Sequence, residues 1–351
     1  MNPLYQEDLE RCLDSVVNLE RLKGKTLLIT GATGMIGSFI VDVLMLSNKM
    51  FHVNCSVIAM GRNEEKARKR FASYWDVSKF SFVQHDINTP LHTKMPMVDF
   101  VIHAASTTHP VAYATNPIET ITSNVWGTKH LLDYICSSAP LARLVLMSSV
   151  EIYGQNRGDV HSFDEKYCGY IDCNTMRAGY PESKRLSETL CQAYRNQRQV
   201  NYVIARIPRT YGPTMLKSDT KALSQFIKKG IAKENIVLKS KGEQLFSYVY
   251  VADVVSAVLT IMLAGESGES YNISSPDSDV KLRDVAKMIA NLCETSLVFE
   301  LPDSTEAAGY STASVAVMDS SKLRKLGWKQ HYAFYDGIQR TLVLLRQEIK
   351  S

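Results

Sequence analysis

The sequence predicts an α/β fold, built as a doubly wound parallel sheet covered by helices and followed by a smaller C-terminal lobe. Two observations lead to this prediction. Short apolar runs of strand length alternate with segments of helical length through the first half of the 351-residue chain. The first run is followed directly by regularly spaced glycines and then by an apolar stretch of helical length. Such alternation is typical of parallel strands joined by crossover helices.

Six apolar runs are predicted to be the strands of this sheet. The helical segments that separate them include residues 39–46, which directly follow the glycines. The other predicted helices are 64–74, 117–135 and 181–198. The predicted strands are 26–30, 56–60, 80–83, 100–103, 144–147 and 202–207.

Composition and charge are those of an ordinary globular protein. The chain is 45% hydrophobic and 22% charged, and scattered basic residues give a formal charge of +4, which does not suggest a nucleic-acid-binding surface. No apolar run reaches the roughly 18 residues that a membrane span needs, and the polar start of the chain is unlike a signal peptide. Seven cysteines without a CxxC pair favour neither a disulfide framework nor a metal site. We therefore expect a cytoplasmic protein that binds no metal.

Glycines in the pattern GxxGxxG follow the first predicted strand. They allow the backbone to approach a dinucleotide pyrophosphate closely, and the N-terminus of the next helix favours the phosphates. The alternative is a glycine-rich turn that binds nothing, but the flanking strand and helix argue against it. The predicted cofactor contacts of this turn are Gly31, Thr33, Gly34, Met35, Ile36 and Gly37.

The end of the second predicted strand bears on the choice between NAD and NADP. NAD-specific sites place an acidic residue there against the ribose 2′-hydroxyl, whereas this chain has Met60-Gly61-Arg62-Asn63. Since no acid repels a 2′-phosphate and Arg62 is able to hold one, the sequence favours NADP somewhat over NAD.

Later strands also end in candidate cofactor contacts, at the carboxyl edge of the sheet where ligands bind. Asp86 is placed to accept a hydrogen bond from an adenine amino group, and a loop-capping aspartate is the alternative. The predicted contacts at these strand ends are Asp86, Ile87, Ala104, Ala105, Ser106 and Ile207.

Tyr180 and Lys184 are four residues apart and share one face of a predicted helix. Pro181 suits a first helical position, which places Tyr180 at the positive end of the helix dipole. For tyrosine to act as a base near pH 7, its pKa must fall by roughly 3 units, or about 4 kcal/mol. An ammonium about 4 Å away supplies on the order of 4 kcal/mol at an effective dielectric of 20. The pair, which also contacts the cofactor, is thus predicted to remove a proton from an alcohol as hydride leaves; an accidental surface pair is the alternative.

Two further residues complete the predicted catalytic set. Ser149 ends the fifth apolar run and is expected to hydrogen-bond the reacting oxygen and hold it for Tyr180. Glu151 lies on the same side if the chain stays extended, and is a candidate acid or base for the neighbouring carbon. A solvated loop carboxylate is the alternative for Glu151.

The chain is expected to form an N-terminal leader and two domains of unequal size. Residues 1–24 are interpreted as an N-terminal leader, and 25–207 as a Rossmann-type dinucleotide-binding domain. Residues 208–351 are interpreted as mainly a substrate-binding lobe, because the alternation fades beyond Pro208. About 249–263 is expected to return to the first domain as a strand and a helix.

At these positions the chain resembles the extended short-chain dehydrogenase/reductase family of nucleotide-sugar epimerases, dehydratases and decarboxylases. The similarity runs from Lys25 to about Trp328 and is closest to UDP-glucuronate decarboxylase-like members. Besides the glycine turn, the matching motifs are His103-Ala104-Ala105, Asn116-Pro117-Ile118, Ser148-Ser149-Val150-Glu151, Arg177-Ala178-Gly179-Tyr180 with Lys184-Arg185, Tyr211-Gly212-Pro213 and Tyr250-Val251-Ala252-Asp253.

Three positions depart from the family pattern. Val150 stands where dTDP-glucose dehydratases carry Asp, which weakens a dehydratase assignment. Phe246 replaces an Arg that commonly binds the diphosphate, and Arg209 replaces a common Asn. Either Arg209 takes over the anionic group, or the substrate is not the usual nucleotide sugar. The predicted substrate contacts are Thr107, Glu151 and Arg209.

The resemblance implies an enzyme that uses tightly bound NAD(P) to oxidise a sugar hydroxyl transiently, at C4, giving epimerisation or decarboxylation. One alternative is an NADPH-dependent ketone or 4-keto-sugar reductase, and a second is a non-catalytic NADP-responsive binding protein. The resemblance also implies a homodimer packed through two helices. The apolar residues that serve either this contact or the core are Trp126, Leu131, Leu132 and Ile135.

Overall fold

The computed structural model describes residues 1–91, 95–108, 110–300 and 313–350. The strands are β1 (Thr26–Thr30), β2 (Ser56–Gly61), β3 (Phe80–Gln84), β4 (Phe100–His103), β5 (Arg143–Ser149), β6 (Asn201–Ile207), β7 (Arg209–Tyr211), β8 (Ile236–Leu238), β9 (Leu245–Tyr250), β10 (Ser270–Asn272), β11 (Asp279–Lys281), β12 (Leu297–Phe299) and β13 (Val315–Ala316). The α-helices are α1 (Pro3–Asp14), α2 (Met35–Phe51), α3 (Glu64–Arg70), α4 (Pro110–Thr115), α5 (Pro117–Ser138), α6 (Gly179–Arg198), α7 (Ala222–Ile231), α8 (Val251–Ala264), α9 (Leu282–Leu292), α10 (Ser321–Arg324) and α11 (Phe334–Lys350).

A seven-stranded parallel sheet forms the centre of the fold, in the order β10-β6-β5-β4-β1-β2-β3. The predicted α/β class and all six predicted strands are confirmed, with ends that shift by at most two residues. Alternate residues of β1 face opposite cores: Leu27 and Ile29 belong to one and Leu28 to the other. Because helices cover both faces of the sheet, most residues of these strands are buried and apolar. The strands can therefore be recognised in the sequence as continuous apolar runs.

The edge strand β10 is absent from the sequence-based prediction. It spans three residues, Ser270–Asn272, which include no apolar run, and it pairs with β6 in parallel. A strand this short is specified by its partner rather than by its own pattern. The main sheet therefore takes one strand from a part of the chain that was interpreted as the second lobe.

A second, smaller sheet has four strands: β11, β9 and β13 lie in that order, and β7 also pairs with β9. The prediction for residues 249–263 is therefore half right. Helix α8 packs on β5 and β6 of the main sheet, but the strand before it, β9, belongs to the smaller sheet. The register of β7 on β9 sets Arg209 opposite Tyr248, which brings Arg209 close to Phe246.

The segment interpreted as a leader contains α1, which packs against α2 and α8. Asp8 on this helix is fully buried and accepts hydrogen bonds from Tyr250 (2.6 Å), Tyr332 (2.8 Å) and Nε of Arg340 (2.6 Å). These contacts tie α1 to the C-terminal helix α11, which carries Arg340. Truncating one partner of such a buried charged network is strongly destabilising.

Helices α5 and α6 pack against each other on one face of the main sheet. Leu131, Leu132 and Ile135 of α5 are fully buried, so they belong to the core, whereas Trp126 is 53% exposed.

In the described part of the chain no helix is long and apolar enough to cross a membrane. The same residues contain no group of three or more His, Cys, Asp or Glu side chains arranged to hold a metal ion.

Candidate active site

The glycine turn lies between β1 and α2, at the carboxyl edge of the main sheet. Gly31 has φ +65°, and a Cβ at this position would lie 2.7 Å from the backbone of Ala104. Helix α2 begins at Met35 with Gly34 as its N-cap, so its first N–H groups face this turn. Thr33 and Ile36 are only partly buried around it. A backbone surface cleared of side chains at a helix N-terminus fits a dinucleotide pyrophosphate.

The loop after β4 forms the neighbouring wall of this edge. The backbone N–H of Ala105 donates to Oγ1 of Thr30 (3.2 Å), which also lies 2.9 Å from Nδ1 of His103. The Ser106 hydroxyl is buried and has no hydrogen-bond partner among the described residues. A buried hydroxyl without a partner is costly unless a ligand satisfies it, so this loop also fits the dinucleotide. Thr107, the predicted substrate contact, is half-buried in the same loop.

Arg62 and Asp86 are both engaged by neighbouring protein groups. Arg62 follows β2 and forms an ion pair with Glu119 in the first turn of α5. One oxygen of Asp86 accepts from the backbone N–H of Asn88 and from its side-chain amide, both at 3.0 Å. The arrangement of Asp86 is that of the loop-capping alternative. Ile87 is buried, and a Cβ at Gly127 would lie 2.9 Å from it.

Tyr180 lies in the first turn of α6, which begins at Gly179, so Pro181 is the third helical residue rather than the first. The helix dipole still favours a phenolate at this end. The side chain is buried, and its hydroxyl forms hydrogen bonds with Ser149 and Tyr113. The rings of Tyr113 and Tyr180 stack with centroids 4.7 Å apart. Ser149 is the last residue of β5 and pairs with Ile207 of β6.

Lys184 lies one turn beyond Tyr180 and is buried. Its Nζ donates to the carbonyl oxygen of Met147 (2.9 Å) and lies 5.9 Å from the centre of the Tyr180 ring. Burial lowers the pKa of Lys184 to about 8. Burial first, and then the charge of Lys184, lower the pKa of His103 to about 3. Lys184 therefore ties α6 to β5 through the carbonyl oxygen of Met147.

The expected lowering of the tyrosine pKa by this ammonium is not found. Burial raises the pKa of Tyr180 to about 12, while the hydrogen bond from Ser149 lowers it and the charge of Glu151 raises it further. The physical reason is distance and solvation: the ammonium is engaged by a carbonyl, and the phenol has lost its water. With protein groups alone, burial of the Tyr180 phenolate costs more free energy than its neighbours Ser149, Arg177 and Tyr113 return.

Glu151 occupies a short 3-10 helix that directly follows β5. Ser149 caps this helix, because its hydroxyl accepts from the backbone N–H of Glu151 (3.2 Å). The Glu151 carboxylate forms an ion pair with Arg177 (2.8 Å) and lies 3.9 Å from Arg209. It is therefore paired with two cations and not simply solvated.

Three residues of this site were assigned no role from the sequence. Tyr113, on α4, contacts Tyr180; Arg177 contacts Glu151; Glu119 contacts Arg62. The sequence did indicate a position near the site for Arg177, since it precedes Tyr180 by three residues and so lies on the same side of the chain. Tyr113 and Glu119 reach the site only through tertiary packing, and no spacing in the sequence links them to it.

The structure brings the predicted residues together in two adjoining groups along one sheet edge. Ser149, Glu151, Tyr180, Lys184 and Arg209 form the first group. The second group surrounds the glycine turn and comprises Gly31, Thr33, Gly34, Met35, Ile36, Gly37, Ala104, Ala105 and Ser106. A phenol and a lysine beside a dinucleotide cradle can move a proton while hydride is exchanged.

A family model described as the NAD dependent epimerase/dehydratase family matches residues 27–274. UDP-glucuronic acid decarboxylase 1 of Xenopus tropicalis is 30% identical over 331 residues, covering 93% of this chain and 73% of the relative. UDP-glucuronic acid decarboxylase 3 of Arabidopsis thaliana is 30% identical over 314 residues, covering 89% of this chain and 86% of the relative.

Solved structures are similar in fold at lower identity. UDP-glucuronic acid 4-epimerase from Bacillus cereus, in complex with UDP-glucuronic acid and NAD, aligns with a TM-score of 0.79 at 20% identity. That alignment covers 92% of this chain and 99% of the epimerase. The dTDP-glucose 4,6-dehydratase DesIV from Streptomyces venezuelae, with NAD bound, also has a TM-score of 0.79, at 23% identity, covering 93% of this chain and 98% of DesIV.

Proposed function

Because this chain belongs to the NAD-dependent epimerase/dehydratase family, we propose that it is an enzyme that modifies a nucleotide sugar through transient oxidation of a sugar hydroxyl. The hydroxyl is that on C4, and UDP-glucuronate is the first substrate to test, given the decarboxylases among its relatives. The observation that carries the proposal is the buried Tyr180 phenol, hydrogen-bonded to Ser149 beside the dinucleotide cradle.

The proposed chemistry divides between cofactor and protein. A bound dinucleotide supplies a reversible hydride acceptor. Tyr180 takes the proton from the sugar hydroxyl, and Ser149 holds the oxygen in line with it. The buried Lys184 would hold the nicotinamide ribose.

The ketone produced at C4 then decides the outcome. If the sugar carries a carboxylate on C5, the ketone makes it a β-keto acid, whose carbon–carbon bond breaks to release CO2. Loss of CO2 leaves an enolate, and Glu151, after taking up a proton from solvent, would deliver it to C5. Return of hydride to C4 and of the proton from Tyr180 completes a cycle without net redox change.

The dinucleotide is proposed to be NAD(P), with NADP somewhat favoured. The absence of an acid at the end of β2 and the guanidinium of Arg62 support this preference. Against it stands Glu119, whose carboxylate engages Arg62 and would repel a 2′-phosphate. Measured affinities for the two dinucleotides decide between them.

We further propose a homodimer in the cytoplasm. Apolar side chains are exposed on both helices of the α5/α6 pair, with Ile118 77%, Trp126 53% and Leu186 48% exposed. All seven cysteines are free thiols, which suits a reducing compartment. Sedimentation of the purified protein tests the first statement and cell fractionation the second.

Turnover with candidate nucleotide sugars tests the proposed reaction. The protein is incubated with UDP-glucuronate, UDP-glucose and GDP- or dTDP-hexoses, and products are identified by mass spectrometry. Tyr180→Phe should abolish turnover while dinucleotide binding survives, and Tyr170→Phe, at a residue that is 49% exposed, is the matched control. Undiminished turnover by Tyr180→Phe would refute the assigned role.

The two alternative functions are not favoured. A reductase would release its cofactor in every cycle, so nicotinamide that stays bound in stoichiometric amount through purification argues against it. A pure sensor would need no proton-transfer group, and the buried Tyr180 next to Ser149, with Lys184 one helical turn on, argues against one.

A further inference from the structure

Two guanidinium groups flank the carboxylate of Glu151. Arg177 lies 2.8 Å from one of its oxygens, and Arg209 lies 3.9 Å from the other. The three side chains are largely buried, with exposures of 14% for Arg177 and 22% for each of the other two. Two positive charges and one negative charge leave a net positive charge here. A poorly solvated cluster of this kind favours the approach of an anion.

Arg177 has hydrogen-bonding capacity that Glu151 does not use. Its Nη2 donates to Glu151, but its Nε and Nη1 are buried and have no acceptor among the described residues. A guanidinium cannot give up its proton, so these donors remain charged and unsatisfied. Buried donors without acceptors are uncommon in folded proteins and call for an explanation. An anionic ligand would satisfy them.

Arg209 is held in place by an aromatic ring. Its guanidinium carbon lies 3.4 Å from the centre of the Phe246 ring, and Phe246 itself is buried. Since β7 pairs with β9, both residues are fixed by the smaller sheet. A guanidinium stacked on a ring is oriented before a ligand arrives, which reduces the entropy lost on binding.

The position of this cluster indicates which part of a substrate it meets. Glu151 lies two residues beyond Ser149 and donates its backbone N–H to the Ser149 hydroxyl (3.2 Å). The same hydroxyl is hydrogen-bonded to Tyr180, at the point where a sugar oxygen would react. Glu151 and the two arginines beside it therefore lie next to the point where a sugar oxygen would react.

We propose that Arg177 and Arg209 form an anion subsite for a carboxylate on the sugar ring, borne by the carbon next to the one oxidised. The inference rests on the proposed function and adds a determinant of specificity to it. Arg209, backed by Phe246, selects uronate substrates over neutral hexoses. Arg177 provides the second guanidinium and keeps Glu151 in place between the two.

Binding measurements on the NAD-loaded protein test this subsite. Titration calorimetry with UDP-glucuronate, UDP-glucose and UDP compares the wild type with Arg209→Gln, and with Arg68→Gln as a surface control. Arg209→Gln should weaken UDP-glucuronate binding about tenfold or more, because a charge-assisted contact is lost, and should leave the other two unchanged. Equal weakening of all three ligands would show that the guanidinium binds the diphosphate, and would overturn the proposal, as would no change.

A second variant covers the case in which Arg209→Gln does not fold. Phe246→Leu keeps an apolar side chain and the charge of Arg209 but removes the ring beneath it. It should also weaken UDP-glucuronate selectively, and by a smaller factor; equal affinity of this variant and the wild type for UDP-glucuronate contradicts the role of the ring.

Binding and turnover separate this proposal from the proposed function. A wild-type protein that binds UDP-glucose as tightly as UDP-glucuronate overturns the subsite and leaves the reaction class standing. A protein that binds UDP-glucuronate selectively but never converts it overturns the reaction and leaves the subsite. Failure to bind any of the three ligands overturns both.

Discussion

Arg177 and Glu151 form a 2.8 Å ion pair whose two charges act on Tyr180 in opposite directions. Glu151 raises the pKa of the phenol and Arg177 lowers it, after the larger effect of burial. The guanidinium also lies 4.9 Å from the ring of Tyr113, which stacks on Tyr180. The pair therefore balances the electrostatic environment of the proposed base.

Removing either charge should move the pH dependence of the first oxidation step. Arg177→Met removes the positive charge, so the pKa of Tyr180 rises and the pH at half-maximal rate moves up by about one unit. Glu151→Gln should move it down by a similar amount. The measurement is the single-turnover appearance of reduced nicotinamide absorbance across a pH series with the substrate that is turned over. Shifts in the same direction for both variants would contradict the proposed balance.

Gly31→Ala should destabilise the fold and impair dinucleotide binding. The new Cβ carries a left-handed strain of about 1–2 kcal/mol and a clash with the Ala104 backbone of about 1–3 kcal/mol more. Gly24→Ala is the matched control, since Gly24 has φ +70° and open space around its Cβ position. Chemical denaturation gives the free energy of unfolding of both variants, and the difference between their losses is the cost of the clash. Equal losses would mean that the glycine turn is not in close contact with the loop after β4.

The Arg62–Glu119 pair should govern the choice between dinucleotides. Glu119→Gln frees Arg62 and removes a negative charge, so affinity for NADP should rise about tenfold while affinity for NAD changes little. Arg62→Gln should lower affinity for NADP alone. Fluorescence titration with NADPH and NADH measures both. An unchanged ratio in both variants would place the adenine ribose away from this pair.

Asp253 should make stability fall as pH rises. Burial raises its pKa from 3.8 to about 7, partly offset by hydrogen bonds from the backbone N–H groups of His331 and Tyr332, while nearby Asp8 raises it further. Between about pH 4 and 7 the folded state then holds a proton that the unfolded state has lost.

The free energy of unfolding, measured for the wild type relative to Asp253→Asn, should therefore decline through that range and level off above it. Denaturant titrations at several pH values provide the comparison. Asp76→Asn, at an exposed position, is the control. A difference between wild type and Asp253→Asn that stays constant with pH would show that this carboxyl is not perturbed.

The main sheet was predictable because its strands are buried on both faces, and so carry their own signal. The edge strand β10 and the strand β9 were not, since their positions depend on partners far away in the chain. At the site, the spacing of Tyr180 and Lys184 placed both on one helix, as predicted. Their electrostatics could not be read in the same way, because burial and the carbonyl of Met147 are properties of the packed structure.

The single hydroxyl of Ser149 serves two neighbours, the Tyr180 phenol and the backbone of Glu151. An alanine here would uncap the turn that carries the carboxylate at the same time as it releases the sugar oxygen, so the phenotype of that variant cannot be divided between the two losses. Threonine keeps both contacts and adds only a methyl group. Proteins that evolve from this fold would therefore keep or lose two functions together: oxidation of the reacting carbon and delivery of a proton to the carbon next to it.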